Sequence, residues 1–239
     1  MQLWTGTSGY SYKEWKGIFY PEKLPASEML HFYCQHFPTV EINNTFYRMP
    51  DESMLSRWAS AAPADFAFSL KAPRRITHEK RLREAESDLA EFLRRTSTLG
   101  EKLAVVLFQL PLFMKKDLAA LQDFLGLLPE RRRAAFEFRN RSWCDDSVYE
   151  ALHARGAMFC VADTETGDTP VVSTTSCGYL RLRRTDYDDR ALNAWAERIA
   201  AQPWSRAYVY FKHEDKALGP RFAQRFIELW EAMHAGRKW

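Results

Sequence analysis

The chain has 239 residues, of which 46% are apolar and 14% aromatic, so it is long enough and apolar enough to bury one large core. Its 34 basic and 31 acidic side chains nearly cancel. The formal net charge of +3 therefore gives little reason to invoke a polyanionic partner, although it permits one.

The cysteines and the apolar runs indicate where the protein works. Four scattered cysteines, with no C-x-x-C pair and no zinc-like spacing, predict reduced thiols in a cytoplasmic protein. The first ten residues lack a basic stretch followed by an apolar one, and the strongest apolar run, Leu103 to Met114, is interrupted by Gln109 and Pro111. We therefore expect neither a signal peptide nor a membrane partner.

Short β-type runs alternate with segments whose apolar residues recur at helical spacing, which predicts repeated parallel βα units. No linker, composition break or repeat divides the chain, so one domain over residues 1–239 is the simplest prediction. Eight strands are expected, at Leu3 to Gly6, Thr39 to Asn43, Phe66 to Lys71, Leu103 to Gln109, Ala134 to Arg139, Met158 to Asp163, Tyr179 to Arg183 and Ala207 to Lys212.

Helices are predicted between these strands from capping residues and apolar stripes. Ser27 and Asp51 are candidate N-caps for the first two. Leu118, Leu121, Leu125 and Leu128 form one later stripe, and a second runs from Phe222 to Met233.

Two connections are less regular. The Thr, Gly and Ser content of Thr164 to Ser176 shows no helical spacing, which predicts a missing helix after the sixth strand. The first connection, Ser8 to Ala26, is rich in aromatic residues, so we expect it to pack over one end of the molecule. In this interpretation Trp15 and Phe19 are packing anchors, while Tyr10 and Tyr12 point toward a ligand.

Five segments form an ordered series along the chain: Trp4 to Pro21, Val40 to Pro50, Phe66 to His78, Leu107 to Pro111 and Phe136 to Trp143. The series closely resembles the successive motifs of the domain-of-unknown-function 72 (YecE-like) family. The resemblance implies an α/β fold, a (β/α)8 TIM-type barrel, and implies little about chemistry. Many members carry a histidine where this chain has Arg183, and paired asparagines where it has Lys212 and His213.

In such a barrel the active site forms at the carboxyl ends of the strands, and strand residues alternate between the two faces. Because Val40, Phe68, Phe136 and Leu180 suit the outer, helix-facing side, their polar neighbours should face inward. The same parity turns Asn43 and Arg183 inward, and the mouth is then expected to collect Glu41, Lys71, Gln109, Glu137, Arg139, Asp163 and Arg181.

This cluster has two interpretations. Buried charges are costly unless paired, so the charges could form a closed ion-pair network that only fills the top of the barrel. In the functional interpretation, Glu137, Glu41 and Lys71 are the catalytic candidates. The predicted substrate-binding residues are Arg139, Arg181, Gln109, Asn43, Asp163, Tyr10 and Ser8, with backbone amides of Gly6 to Gly9 as a possible anion nest.

Three classes of function fit this mouth. The favoured one is an enzyme that acts on a phosphate-bearing or carboxylate-bearing substrate, without a cofactor or metal. The second is a metal-dependent phosphoesterase or isomerase with Glu41, Glu137, Asp163 and His213 as ligands. The third is a nucleic-acid-binding protein that uses the basic pairs Arg74 and Arg75, Lys80 and Arg81, the run Arg131 to Arg133, and stacking by Tyr10 and Trp15. The sequence determines neither the substrate nor the oligomeric state.

Overall fold

The computed structural model describes residues 1–130, 132–165, 167–213 and 215–235. Eight parallel strands close into a barrel in sequence order, because β1 pairs with β8 as well as with β2. This is the predicted (β/α)8 TIM-type barrel. The strands are β1 (Gln2–Ser8), β2 (Thr39–Ile42), β3 (Ala67–Lys71), β4 (Leu103–Leu110), β5 (Ala134–Phe138), β6 (Met158–Asp163), β7 (Cys177–Leu182) and β8 (Arg206–Phe211).

Helices surround the barrel, and four of them begin with an aspartate whose carboxylate accepts backbone N–H bonds of the first turn, including Asp51 as predicted. Ser27 is not a cap, because a 3-10 turn, Ala26–Glu28, leads into the first helix. The helices are α1 (Met29–Cys34), α2 (Asn44–Tyr47), α3 (Glu52–Ala61), α4 (Glu86–Thr96), α5 (Leu118–Gly126), α6 (Asp146–Ala154), α7 (Asp189–Ala200) and α8 (Leu218–Ala235).

The connection from β6 to β7 has no helix in its described residues, as the sequence predicts. Instead, Thr169 and Thr174 tie it to β6: the Ala162 amide donates to Thr169 Oγ1 at 2.8 Å, and the Phe159 amide donates to Thr174 Oγ1 at 3.0 Å. Side-chain hydroxyls of this segment thus accept from backbone amides of β6. In the part of the chain that is described, no helix has the length and apolar character needed to cross a membrane.

The core has two layers separated by the sheet. Outward-facing strand residues such as Val40, Phe68 and Val161 pack against the helices. The barrel interior is filled by Val105, Leu107, Met158, Cys160 and three tyrosines, Tyr179, Tyr208 and Tyr210. Tyrosines suit this position because their rings fill space while their hydroxyls reach polar partners nearer the mouth.

The hydroxyl of Tyr210 lies 2.8 Å from both Thr39 Oγ1 and Ser69 Oγ, and that of Tyr179 donates to Glu41 at 2.7 Å. The barrel interior therefore changes from apolar to polar toward the carboxyl ends of the strands. This layer of hydroxyl groups supports the charged residues above it.

The first connection packs as an aromatic cap, as predicted. Trp15 is 1% exposed, and its ring meets Phe19 edge to face at 5.7 Å. Gly9 has a φ of +102°, and a Cβ at this position would lie 2.2 Å from the Tyr12 hydroxyl. A larger residue at Gly9 would therefore displace Tyr12 from its place over the end of β1.

Candidate functional site

Arg181 of β7 is the centre of a buried charge cluster at the carboxyl ends of the strands. Its Nη2 donates to Glu41 Oε1 at 2.8 Å, its Nε donates to the same oxygen at 3.1 Å, and its Nη1 donates to Glu137 Oε2. The Arg181 side chain is 3% exposed, and both glutamates are fully buried. One guanidinium therefore joins the carboxylates of β2 and β5 across the barrel.

Glu41 and Glu137 both remain carboxylates. Burial alone would raise the pKa of Glu41, but Arg181 and hydrogen bonds from Ser8 and Tyr179 hold it below its usual value. At Glu137 burial would also raise the pKa, but the charges of Arg181, Arg139 and Arg183 lower it to about 2. Two carboxylates in a low-dielectric interior stay ionised only because so many donors face them.

Two further arginines follow the strands at the rim. Arg139 Nε forms an ion pair with Glu137 Oε1, and Arg139 Nη2 donates to Gln109 Oε1 at 3.4 Å. Arg183 Nη1 lies 3.8 Å from the same Glu137 oxygen. The Nε and Nη1 atoms of Arg183 are buried and donate no hydrogen bond to any described residue. Burial accordingly lowers the pKa of Arg183.

Lys71 ends β3, and its Nζ lies 4.0 Å from the centre of the Phe46 ring. It forms no ion pair with a carboxylate of the described residues, although Glu41 and Glu137 lie in the same cluster. Burial, together with the Arg181 charge, lowers the pKa of Lys71 to about 8, against the opposing effect of the two glutamates. At neutral pH part of this amine is therefore uncharged.

These residues border a cavity of about 280 Å³ at the mouth, called here the charged cavity. Its wall contains the side chains of five cationic residues and no carboxylate of the described part of the chain. The lining residues are Tyr12, Asn43, Asn44, Tyr47, Lys71, Gln109, Arg139, Arg181, Arg183 and Lys212. Among the described residues, Lys71, Arg139, Arg181 and Arg183 stand against the two buried glutamates, which leaves an excess of positive charge in this group.

Two larger cavities adjoin it. One, of about 410 Å³, is the aromatic cavity, which shares Tyr12 and Asn43 with the charged cavity and is also lined by Tyr10 and Trp58. The other, of about 370 Å³, extends from Glu137 and Arg139 under the connection after β6. The mouth thus offers a charged centre with an aromatic extension on one side and a polar one on the other.

The structure brings most of the predicted site residues together. Glu41, Glu137 and Arg181 form the buried centre, and Asn43, Lys71, Gln109 and Arg139 border the charged cavity. Ser8 lies in the buried layer, where its hydroxyl donates to Glu41 and accepts from Asn43 Nδ2 at 2.8 Å. The proposed anion nest is wrong, because the Thr7 amide donates to Tyr33 and the Gly9 amide donates to the Glu41 carbonyl.

The placement predicted for Asp163 at the mouth is wrong. Cys160 points into the barrel, so alternation turns Asp163 toward the helices, where its carboxylate accepts from Tyr187 Oη at 2.5 Å and Trp195 Nε1 at 3.1 Å. It also accepts the Arg183 amide at 2.7 Å. Asp163 therefore fixes the backbone after β7, and Ala162 takes its place beside the cavity under the loop.

Tyr10 also departs from its predicted position. It borders the aromatic cavity and not the charged one, with its ring 6.1 Å from that of Tyr33. Tyr12 borders both cavities, and its hydroxyl donates to the Ser8 carbonyl at 2.8 Å. The residues of the charged cavity that the sequence did not nominate for the site are Asn44, Tyr47 and Lys212. Strand parity turned Arg183 inward without nominating it as a substrate-binding residue, and it too lines this cavity.

The four proposed metal ligands do not converge. Asp163 faces α7, and His213 Nε2 lies 3.0 Å from the Arg183 carbonyl oxygen, while Glu41 and Glu137 are bound to Arg181. Within the described ranges no three His, Cys, Asp or Glu side chains form a metal-binding group. The residues present do not fit the metal that the second class of function requires.

The basic patches considered for nucleic acid are largely paired. Arg75 and Lys80 each lie 2.8 Å from a carboxylate oxygen of Asp88, and Arg74 lies 3.8 Å from Glu79. Arg81 stacks over the Phe113 ring at 5.1 Å. Arg131, in the third patch, lies outside the described residues. Paired surface cations favour a solvated surface over a continuous phosphate-binding track.

Fold and site define a TIM-type barrel with a cationic mouth at the carboxyl ends of its strands. The chain belongs to the family described as protein of unknown function DUF72, whose model matches residues 4–238.

Solved structures of the same family share this fold. A DUF72 family protein from Thermotoga maritima superposes with a TM-score of 0.85 at 27% identity, covering 97% of this chain and 100% of that chain. One from Enterococcus faecalis gives a TM-score of 0.80 at 18% identity, over 96% of each chain.

Two curated relatives bear names that describe no activity. The UPF0759 protein YecE of Escherichia coli (strain K12) is 32% identical over 141 residues, which is 56% of this chain and 52% of the relative. The UPF0759 protein YunF of Bacillus subtilis is 26% identical over 225 residues, covering 83% of this chain and 75% of the relative. The matched region thus spans about half the length of the E. coli protein.

Proposed function

We propose that the protein is an enzyme that acts on a small anionic substrate, with its phosphate or carboxylate group held in the charged cavity. The observation that carries the proposal is the wall of this cavity, which is lined by Lys71, Arg139 and Arg183 together with Arg181, while the carboxylates of Glu41 and Glu137 lie buried behind it. Within the described residues the buried Nε and Nη1 of Arg183 donate no hydrogen bond, so this guanidinium is less fully paired than that of Arg181. Arginine donors suit phosphate and carboxylate because they bind both in a bidentate manner.

The buried centre has a supporting role in this proposal. Glu41 and Glu137 hold Arg181 from two sides, so its guanidinium cannot swing away when the cavity is empty. Their fully paired, low-pKa carboxylates are poor candidates for accepting or donating a proton near neutral pH. Lys71, with its pKa lowered to about 8, is the better acid or base among the three catalytic candidates.

The environment and partners proposed from the sequence fit the same function. The four cysteines, Cys34, Cys144, Cys160 and Cys177, are free thiols, in keeping with a reducing cytoplasm. A cytoplasmic enzyme meets many phosphorylated and carboxylated small molecules. We propose such a molecule, in preference to nucleic acid, as the partner.

Calorimetric titration with inorganic phosphate and pyrophosphate at low ionic strength tests the proposal. The wild type should bind, and Arg183→Met should weaken binding about 10-fold to 100-fold, the value of one or two charge-assisted hydrogen bonds. Arg225→Met is the matched control, because Arg225 pairs with Asp189 and Glu228 on the surface and should not affect binding. Absence of anion binding to the wild type, or equal losses in both variants, would refute the proposal.

A further inference from the structure

Lys71 differs from the other cations of the charged cavity in how it is held. Arg139 and Arg181 are tied to carboxylates, whereas the ammonium of Lys71 rests on the Phe46 ring with no ion-pair partner in the described ranges. Its main-chain carbonyl accepts from Thr45 Oγ1 at 2.7 Å, which fixes the end of β3 beside α2. Lys71 is 9% exposed and lines the charged cavity.

Burial and the arginine charges around Lys71 lower the pKa of its amine. The groups that face it from the neighbouring elements are Arg181 of β7, Glu137 of β5, Arg139 after β5, Glu41 of β2 and His78 after β3. Burial and the arginines outweigh the glutamates, so the pKa of Lys71 is about 8. At a pH of about 7.5 roughly a quarter of the amine is then neutral, against about one part in a thousand for an ordinary lysine.

A buried lysine amine that rests on an apolar ring, lies among cationic groups and lines a cavity suits imine formation. We propose that Lys71 Nζ forms an imine with an aldehyde or ketone substrate whose phosphate or carboxylate group lies against Arg183 and Arg139. The anionic part of this inference rests on the proposed function above, and the carbonyl part is new. The volume of about 280 Å³ suits a small phosphorylated or carboxylated carbonyl compound.

The proposed step is balanced without any further reactant. The Nζ lone pair attacks the carbonyl carbon, a C–N bond forms, and the π electrons of the C=O bond move to oxygen. The oxygen takes one proton from the attacking amine and a second from solvent, and it leaves as water. The product is a protonated imine, so the sum is ammonium plus carbonyl giving iminium plus water. The nearby Glu137 and Glu41 carboxylates stabilise the positive charge that remains on nitrogen.

Reductive trapping with cyanoborohydride tests the proposal on the full chain. The probe is glyceraldehyde 3-phosphate, and glyceraldehyde, which has the same carbonyl group and no phosphate, is its control. We expect one adduct per chain at low probe concentration, assigned to Lys71 by peptide mass spectrometry, and formed about tenfold or more faster with the phosphorylated probe. The trapping rate should rise with pH through about 8, as Lys71 loses its proton.

Lys71→Arg should abolish this adduct, and Lys71→Met provides a second variant in case arginine disturbs the cavity. Lys116→Arg is the matched control, because the ammonium of Lys116 pairs with Asp145 outside the cavity. Retention of the adduct in both Lys71 variants, or labelling of Lys71 no faster than of Lys116, would overturn the inference.

The two proposals fail in different ways. If calorimetry shows phosphate binding but Lys71 is not trapped, the imine is wrong and the anion site stands. If Lys71 is trapped equally fast with both probes and inorganic phosphate does not slow the reaction, the reactive amine stands and the anionic substrate is wrong.

Discussion

Replacing Glu137 by Gln removes one negative charge from the buried centre while keeping the shape of the side chain. Glu137 pairs with Arg181 below and Arg139 above, and it is fully buried. Its pKa of about 2, against an ordinary 4.5, means that the native state favours the carboxylate by about 3 kcal/mol, since one pKa unit corresponds to about 1.4 kcal/mol. We expect Glu137→Gln to lower the free energy of unfolding by about this amount at neutral pH.

The sign of the pH dependence follows from the lowered pKa. The stabilisation by Glu137 is complete above its ordinary pKa of 4.5 and is lost as the pH falls through about 2. Urea unfolding followed by tryptophan fluorescence should therefore show that the difference in free energy of unfolding between the wild type and Glu137→Gln decreases as the pH falls from about 5 to 2. Glu228→Gln, on the surface, should show almost no gap. A Glu137→Gln protein as stable as the wild type at neutral pH would refute this view of the buried centre.

Two further predictions concern stability and the first connection. Lys71→Met should raise the free energy of unfolding at pH 7 by up to about 3 kcal/mol, because the unfolded chain binds a proton at this lysine more readily than the native state does. This gain in stability should vanish as the pH rises from about 8 to 10.5. Chemical unfolding across that pH range would measure it, and an unchanged stability at pH 7 would contradict the prediction. Trp15→Ala should lower the free energy of unfolding by about 3 to 5 kcal/mol, because Trp15 is 1% exposed among aromatic neighbours. Tyr10→Ala should lower it less and leave phosphate binding unchanged, because Tyr10 borders the aromatic cavity. Thermal unfolding and calorimetry of both variants would measure these effects, and a loss of phosphate binding in Tyr10→Ala would show that Tyr10 reaches the charged cavity.

The barrel could be predicted from the sequence because its evidence is periodic. All eight strands lie where the apolar runs placed them, and the connection after β6 lacks a helix, as its Thr and Gly content indicated. Strand alternation also put Glu41, Lys71, Glu137 and Arg181 on the inner face correctly, because each follows a large apolar residue that must face the helices.

Asp163 was misplaced because it was assigned to the mouth as the last residue of its strand. It shares parity with Phe159 and Val161, which face the helices, whereas Cys160 faces inward. Tyr10 was misplaced for a different reason. The direction of a side chain in an irregular loop depends on backbone turns, such as the one at Gly9, that no periodicity records.

Which carboxylate pairs with which cation could not be read from the sequence either. Parity brought six charged residues to one mouth, but it did not indicate that Arg181 would engage both glutamates and leave Lys71 without an ion pair in the described ranges. This pairing distinguishes the buried centre around Arg181 from Lys71 at the charged cavity, and it depends on how far each side chain extends in three dimensions. Both earlier interpretations thus apply to part of the cluster: a closed network lies beneath, and we propose a ligand site above it.

The most direct test of the central claim is a crystal structure of the protein grown or soaked with phosphate, or with tungstate as a heavier tetrahedral anion. We predict density for one anion in the charged cavity, within hydrogen-bond distance of Arg183 and Arg139 and beside Lys71. The anomalous signal of tungstate would distinguish it from water. An empty charged cavity at saturating anion, with Arg183 in the same position, would contradict the proposal that this mouth binds an anionic substrate.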